Sequence, residues 1–168
     1  YVDAATRGRA FRVNGRRLFL RGGNWIATDA MWRFSGDAER YKDEVSLHAA
    51  AGLNLIRVWG GGVGAAESDL FYEACDEAGV LAYSEFWMTG DNNGRWAGSY
   101  DWPEDRAAYA AAVVDVVKRV RRYASVLWLG GGNELYPKAY SPPPDVWAAI
   151  EAAVAAHDAA KILVPSTM

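Results

Sequence analysis

Glu134 is the residue best placed by the sequence for acid–base chemistry. It comes directly after the apolar segment 126–129, three glycines and Asn133. Flexible glycine backbone allows a carboxyl group at this point to stand in a cleft, where it can protonate the leaving group of a bond that is being cleaved. The structural alternative is a helix-capping or surface glutamate. We expect Glu134 to be a general acid.

A second carboxylate, Glu85, comes at the end of another apolar segment and has two possible roles. It could serve beside Glu134 in the site, or it could form an ion pair with a strand-end arginine such as Arg57. Arg57 lies within the apolar segment 53–59. An unpaired charge in such a segment would be costly, so Arg57 needs a carboxylate partner.

Six of the eight tryptophans end or follow the first three predicted strands. They are Trp25, Trp32, Trp59, Trp87, Trp96 and Trp102. Amides and carboxylates are interleaved with them, at Asn24, Asp29, Asp91, Asn92 and Asn93. Flat apolar rings combined with a few polar groups suit a sugar, whose ring faces stack and whose hydroxyls hydrogen bond. The alternative is that the rings only plug the top of the fold.

The elements that must position these residues alternate between strands and helices. Asn14-Gly15 between two apolar segments predicts a β-hairpin, and its second arm, residues 18–20 running into 21–24, is predicted as strand one. Strands two to five are predicted at 53–59, 80–83, 126–129 and 162–164. Helix starts are predicted at Asp37, Ser68, Asp101-Trp102-Pro103 and 142–144, with Gly52 and Gly79 ending the first two helices.

Five strands that are apolar on both faces and separated by helices indicate an α/β fold with a parallel sheet. Two architectures fit: an open doubly wound sheet, or part of a (β/α)8 TIM barrel. A complete barrel takes roughly 250 residues, so 168 residues would supply an incomplete one of about five βα units. Glycine triplets at 60–62 and 130–132 follow strands two and four, which favours equivalent positions in a barrel.

Composition excludes several classes of protein. The chain has 18 Lys and Arg against 21 Asp and Glu, without the clustered positive face that a nucleic-acid binder needs. No stretch approaches the roughly 18 apolar residues of a membrane span. One cysteine, Cys75, excludes an internal disulfide. His48, His157 and Cys75 lack the spacing of metal ligands.

A glycine-rich segment offers a rival interpretation. Residues 60–65 match the spacing of the dinucleotide-binding fingerprint, follow a predicted strand and precede Glu85 by 20 residues. However, the next helix is predicted to begin only near Ser68, and Glu67 and Asp69 would repel a pyrophosphate at its start. A nicotinamide-dependent oxidoreductase is therefore the lesser alternative.

Five ordered sequence blocks resemble the catalytic barrel of glycoside hydrolase family 2. They include Arg21-Gly22-Gly23-Asn24-Trp25 and Gly131-Gly132-Asn133-Glu134. The resemblance runs from about residue 11 to residue 136 and is strongest to the endo-β-mannosidase, β-mannosidase and exo-β-glucosaminidase members. The blocks lie at 14–29, 54–62, 71–79, 85–91 and 131–134.

The resemblance implies a retaining β-glycosidase without metal or other cofactor. It assigns the acid/base role to Glu134 and a contact with the sugar 2-hydroxyl to Asn133. Positions that match Asp29, Trp25 and Arg57 line the innermost subsite in the family. The nucleophile is a second glutamate at the end of strand seven. Further substrate contacts are predicted at Trp59, Glu85 and Trp87.

The resemblance also sets the expected domain organisation and partners. Residues 1–168 would form strands one to five of the catalytic domain, and strands six to eight and flanking β-sandwich domains would lie outside this chain. The expected partners are an oligosaccharide substrate and the rest of the barrel. Two segments, 82–84 and 123–125, depart from the family pattern. A non-catalytic carbohydrate-binding or scaffold barrel derived from such an enzyme is the alternative function.

The isolated chain is expected to hydrolyse no aryl β-mannoside. Retention needs two carboxyl groups about 5–5.5 Å apart, one attacking the anomeric carbon while the other protonates the leaving oxygen. The family's nucleophile belongs to a strand beyond Met168, so Glu134 alone has no partner. Release of aryl alcohol by purified residues 1–168, above the rate of a Glu134→Gln control, would contradict this expectation.

Overall fold

The computed structural model describes residues 8–29, 31, 36–89, 102–135 and 142–167. These ranges hold seven strands and four helices, and strands and helices alternate from the third strand onward. In chain order they are β1 (Phe11–Val13), β2 (Arg16–Leu18), β3 (Gly22–Trp25), α1 (Ala38–Ala50), β4 (Leu55–Val58), α2 (Asp69–Ala78), β5 (Leu81–Glu85), α3 (Arg106–Val120), β6 (Val126–Gly130), α4 (Pro144–His157) and β7 (Ile162–Val164).

The order of strands in the main sheet decides between the two predicted architectures. The five strands β3 to β7 lie side by side in chain order, and every neighbouring pair is parallel. A doubly wound sheet reverses its strand order at a switch point, and this sheet does not. Each connection passes through a helix, as in a (β/α)8 barrel. The prediction of an incomplete barrel with about five βα units is confirmed.

The two faces of the sheet have different neighbours because side chains alternate along each strand. On one face, Ile56, Val58 and Leu129 are buried in a core formed with the helices. On the other face, Tyr83 and Trp128 occupy paired positions in the register and line the inner side of the sheet. The aromatic and aliphatic core therefore lies between the strands and the helices, and the inner face carries the residues of the candidate site.

The N-terminal hairpin forms as predicted, but strand one begins later than predicted. Asn14 and Gly15 both have positive φ, as a two-residue hairpin turn requires. The arm ends at Leu18, and β3 begins separately at Gly22. The cause is Asn54, whose side chain accepts a hydrogen bond from the Arg21 N–H and donates one to the Phe19 carbonyl. These bonds occupy backbone groups of Phe19 and Arg21 between the hairpin and β3.

The helices confirm two predicted starts and correct a third. Asp37 and Ser68 accept hydrogen bonds from the first turns of α1 and α2. The third helix was expected to start at 101–103, but it begins at Arg106, because the Asp105 side chain accepts the Ala108 N–H. Within the described ranges, no helix combines the length and apolar character needed to span a membrane.

Two glycines press the loop after β4 against the end of β5. A Cβ atom at Gly60 would lie 2.5 Å from the Phe86 carbonyl oxygen, and one at Gly64 would lie 2.3 Å from the Glu85 carbonyl oxygen. Gly64 also has a φ of +53°. This loop can approach the strand so closely only because these two positions carry no side chain.

Gly64→Ala is expected to destabilise the protein more than Gly79→Ala. Both glycines have left-handed backbone, which costs an alanine about 1 kcal/mol. At Gly79 a Cβ meets nothing within 4 Å. At Gly64 the backbone clash should add about 1–3 kcal/mol. Urea unfolding of the two variants measures their free energies of unfolding. Equal destabilisation would show that the close approach at Gly64 does not contribute to stability.

Candidate active site

Polar side chains converge where the parallel strands end. They come from β3, β4 and β5 and from the segments that follow β6 and β7. Arg57 on β4 is at the centre, because its guanidinium reaches side chains from all four other places. Those side chains are Asn24, Glu85, Asn133 and Thr167.

Arg57 and Glu85 form a buried ion pair. Arg57 donates from Nε to Oε1 at 3.1 Å and from Nη2 to Oε2 at 2.9 Å. Glu85 is fully buried, and the Arg57 side chain is 18% exposed. Glu85 also accepts the Gly60 N–H at 2.8 Å and the Thr167 hydroxyl. The carboxylate of Glu85 therefore accepts hydrogen bonds from four donor atoms. Of the two roles predicted for Glu85, the structure shows the ion pair with Arg57.

The rest of the Arg57 guanidinium orders two amides. Nη1 donates to Asn24 Oδ1 at 2.9 Å, and Nη2 donates to Asn133 Oδ1 at 2.6 Å. Nη2 also lies 2.6 Å from Thr167 Oγ1. Glu85 thus supplies the carboxylate partner that Arg57 needs. Arg57 in turn fixes the side chains of Asn24 and Asn133 relative to one another.

Glu134 lies in strained backbone beside this network. Its φ is +54°, a left-handed value that is uncommon for a residue with a side chain and that concentrates at functional positions. Its N–H donates to the Thr167 carbonyl at 2.7 Å. Glu134 lines a cavity of 390 Å³ together with Asn24, Arg57, Asn133 and Thr167. All five residues that line this cavity have polar side chains.

Asp29 lies apart from the cavity lining. Its side chain accepts the Met31 N–H at 2.9 Å, and its other carboxylate oxygen lies 3.5 Å from Arg40 Nη1 on α1. The same Arg40 donates to Glu44 at 3.0 Å. The structure therefore shows Asp29 in a local ion-pair cluster between the β3–α1 loop and α1.

The structure corrects the expectation that tryptophans surround the cavity. Trp25 pairs with Val58 in the sheet register, which puts it on the helix-facing side, and its ring packs 4.8 Å from the Phe71 ring. Trp87 packs against Tyr109 of α3 at 5.7 Å. Alternation along β3 directs Trp25 away from the inner face, whereas Trp87 lies beyond the end of β5 and packs on the helix side.

The remaining tryptophans do not restore an aromatic cleft in the described part of the chain. Trp102 packs against the helix-side core. The Trp59 ring lies over Gly61, where a Cβ would be 2.1 Å from the indole. Trp128, which was not assigned to the cleft, faces the inner side of the sheet and contacts Phe11 edge-on. The predicted positions Trp32, Trp96, Asp91, Asn92 and Asn93 lie outside the described residues.

Sequence reasoning missed two residues of this region, Thr167 and Thr89, and a buried carboxyl on the helix-facing side, Glu67. Thr167 and Thr89 are bonded to Arg57 and Asn133 respectively. The only sequence feature that could have pointed to these two residues is a hydroxyl side chain just beyond the end of a strand. Glu67 is buried and accepts hydrogen bonds from the Trp25 indole at 2.9 Å and the Tyr41 hydroxyl at 3.1 Å. Burial raises the pKa of Glu67, although these hydrogen bonds oppose the shift.

The glycine-rich segment 60–65 does not form a dinucleotide-binding turn. The Gly60 N–H, which a phosphate would need, is bonded to Glu85. Residues 64–66 form a 3-10 turn, and α2 begins only at Asp69 with its first turn capped by Ser68. Among the residues that the structure describes, no group of three His, Cys, Asp or Glu side chains could hold a metal ion.

Known proteins are similar to this chain in sequence and in fold. No protein-family model matches the chain. It is 41% identical over 153 residues to mannosylglycoprotein endo-β-mannosidase from Lilium longiflorum, an alignment that covers 89% of this chain and 15% of that protein. It is 38% identical over 126 residues to β-mannosidase B from Aspergillus flavus, covering 75% of this chain and 14% of that protein.

A solved structure agrees with these sequence relatives. The crystal structure of a β-D-mannosidase from Dictyoglomus thermophilum matches with a TM-score of 0.74 and 27% identity, over 94% of this chain and 20% of that chain. The chain belongs to glycoside hydrolase family 2. This family-2 chain spans only about one seventh of the length of the two curated relatives, at 15% and 14%.

Glu85→Gln is expected to destabilise this family-2 chain by about 3 kcal/mol, because it removes the carboxylate that neutralises the mostly buried charge of Arg57. Urea unfolding measures the effect. Asp145→Asn is the matched control, since it removes the carboxylate of an exposed arginine pair with Arg106 and should cost less than about 1 kcal/mol. Similar losses for the two variants would contradict the central role of the buried pair.

Proposed function

We propose that the protein containing this chain is a retaining glycoside hydrolase that cleaves β-mannosidic or related β-glycosidic bonds. Glu134 is its acid/base, and the nucleophile is a carboxylate outside this chain. The observation that carries the proposal is the cavity of 390 Å³ in which Glu134 and Asn133 lie beside Arg57. The family membership of the chain supports the same reaction class.

The two carboxyl groups near the cavity have different capacities for proton transfer. Glu85 is buried and occupied by the donors from Arg57, Gly60 and Thr167. Glu134 is half-buried, and among the described residues it has no ion-pair partner. A general acid must exchange its proton with a ligand, so Glu134 is the carboxyl suited to protonate the leaving oxygen.

The second carboxylate of a retaining mechanism has to come from elsewhere in the protein. It must attack the anomeric carbon from a position about 5–5.5 Å from the acid/base. Glu85 cannot take this role, because attack would require it to give up the hydrogen bonds that hold Arg57. We assign the role to a glutamate on strand seven, in the part of the barrel beyond this chain.

Amide and guanidinium groups in the cavity suit the hydroxyl groups of a sugar. Asn24, Asn133 and Arg57 line the cavity and are held rigidly by one another. Fixed donors of this kind bind an oriented ligand without first losing side-chain freedom. We propose that Asn133 contacts the 2-hydroxyl of the sugar, and that Asp29 and Trp59 contribute substrate contacts in the longer protein.

The proposed enzyme also needs the domains expected around this chain. Residues 1–168 form the first five strands of its catalytic barrel. Strands six to eight complete the barrel, and β-sandwich domains flank it. The substrate is an oligosaccharide, and the reaction uses no metal or other cofactor.

Glu134→Gln in the full-length protein should reduce hydrolysis of glycosides with poor leaving groups by about 10²–10⁴-fold. Glycosides with activated aryl leaving groups should be affected far less in the step that breaks the glycosidic bond, because their leaving oxygen needs no proton. Pre-steady-state kinetics with a series of aryl β-mannosides of differing leaving-group pKa measures the contrast.

The control is Glu151→Gln, which neutralises an exposed carboxylate on α4 and should leave both classes of substrate unchanged. Equal loss on good and poor leaving groups would count against the acid role of Glu134. A full-length protein that binds oligosaccharides but turns over none of these glycosides would instead support the non-catalytic carbohydrate-binding barrel.

A further inference from the structure

Asn133 is held from both sides by the ends of neighbouring strands. After the irregular segment that follows β6, it forms single parallel β-bridges with Thr89 and with Thr167. Its backbone N–H donates to the Met88 carbonyl at 2.9 Å. The two threonines thus flank Asn133, one beyond β5 and one beyond β7.

The chemistry of its two side-chain partners fixes which way the Asn133 amide is turned. Its Oδ1 lies 2.6 Å from Arg57 Nη2, and a guanidinium can only donate, so this atom must be the amide oxygen. The amide nitrogen then faces Thr89, where Nδ2 donates to Oγ1 at 3.0 Å. Thr89 is 4% exposed and Asn133 is 8% exposed. Bulk water therefore has little access to this hydrogen bond.

Arg57 Nη2 contacts the amide oxygen together with three other acceptor atoms. Nη2 carries two hydrogens, and these are shared among both oxygens of Glu85, Asn133 and Thr167. The terminal torsion of an asparagine side chain is broad, so a contact at the oxygen alone does not stop rotation of the amide about that contact. The bond to Thr89 supplies the second point that stops this rotation.

We propose that Thr89 is a positioning residue for sugar recognition. Its hydroxyl takes one of the two Nδ2 hydrogens of Asn133 and so directs the other hydrogen to the 2-hydroxyl of a bound glycoside. Thr89 thereby sets how strongly the protein distinguishes sugars that carry this hydroxyl from sugars that lack it. The inference rests on the proposed function, because it requires that Asn133 contacts the sugar.

Thr89→Val in the full-length protein keeps the shape of the side chain and removes the acceptor. Its kcat/KM for an aryl β-mannoside should fall by about 10-fold or more, while kcat/KM for the matching 2-deoxy glycoside should change by less than about 3-fold. Thr89→Ser restores the hydroxyl and should return the ratio of the two values towards wild type. Thr89→Ala gives the same comparison if the valine variant does not fold.

Ser84→Ala is the matched control. It removes a buried hydroxyl that lies 3.0 Å from the Tyr72 hydroxyl on the helix-facing side of β5. This variant should lower the melting temperature without changing the ratio of the two substrates.

Three results would overturn the inference alone: equal losses on both substrates in Thr89→Val, failure of Thr89→Ser to restore the ratio, or an equal shift of the ratio in Ser84→Ala. Each would show that Thr89 acts only through stability or not at all. A wild-type protein that hydrolyses neither glycoside would overturn the proposed function and the inference with it.

Discussion

The buried ion pair between Arg57 and Glu85 is the interaction on which the arrangement of the site depends. Removing two charges from water is favourable only when the geometry is good and the remaining polar atoms are bonded. Here the Gly60 N–H and the Thr167 hydroxyl complete the carboxylate, and Asn24 accepts from the guanidinium. The hydrogen-bonding groups of Arg57 and Glu85 are all satisfied only when the ends of several strands meet in one arrangement. The ion pair therefore also helps to set the positions of those strand ends.

Alternation along the strands decides which side chains reach that arrangement. Asn24 and Arg57 occupy paired positions on β3 and β4 and meet on the inner face. Trp25 and Val58, one residue further along, are also paired and face the helices. A shift of one residue in register would exchange these two sets, placing an indole in the site and an arginine in the apolar core.

The elements were predictable from the sequence, whereas the strand pattern by itself left two architectures open. Glycine stops, capping side chains and the Asn14-Gly15 turn act through local backbone chemistry, and the structure shows each of them close to its predicted place. The start of α3 was missed because two aspartates near Pro103 can both cap a helix, and only the structure shows that Asp105 does so. The strand predicted at 80–83, which is β5 in the structure, extends further than predicted, through Glu85.

The candidate site was predictable only in part. The need of Arg57 for a carboxylate follows from the cost of a buried charge, and that partner was found. The orientation of the tryptophans was not predictable, because a residue at a strand end faces the helices or the inner side according to a register that distant contacts set. Thr89 and Thr167 were missed because a threonine beyond a strand carries no distinctive pattern. Their importance appears only when three strand ends lie side by side.

The contact of Gly60 and Gly64 with the end of β5 has a consequence for how such proteins diverge. Surface loops ordinarily tolerate insertions and drift in sequence. In this loop, a side chain at Gly60 or Gly64 would displace the backbone at the end of β5, which carries Glu85. Changes in substrate preference that enter through larger side chains at this edge are therefore easier in the other loops than at Gly60 and Gly64 of the β4–α2 connection.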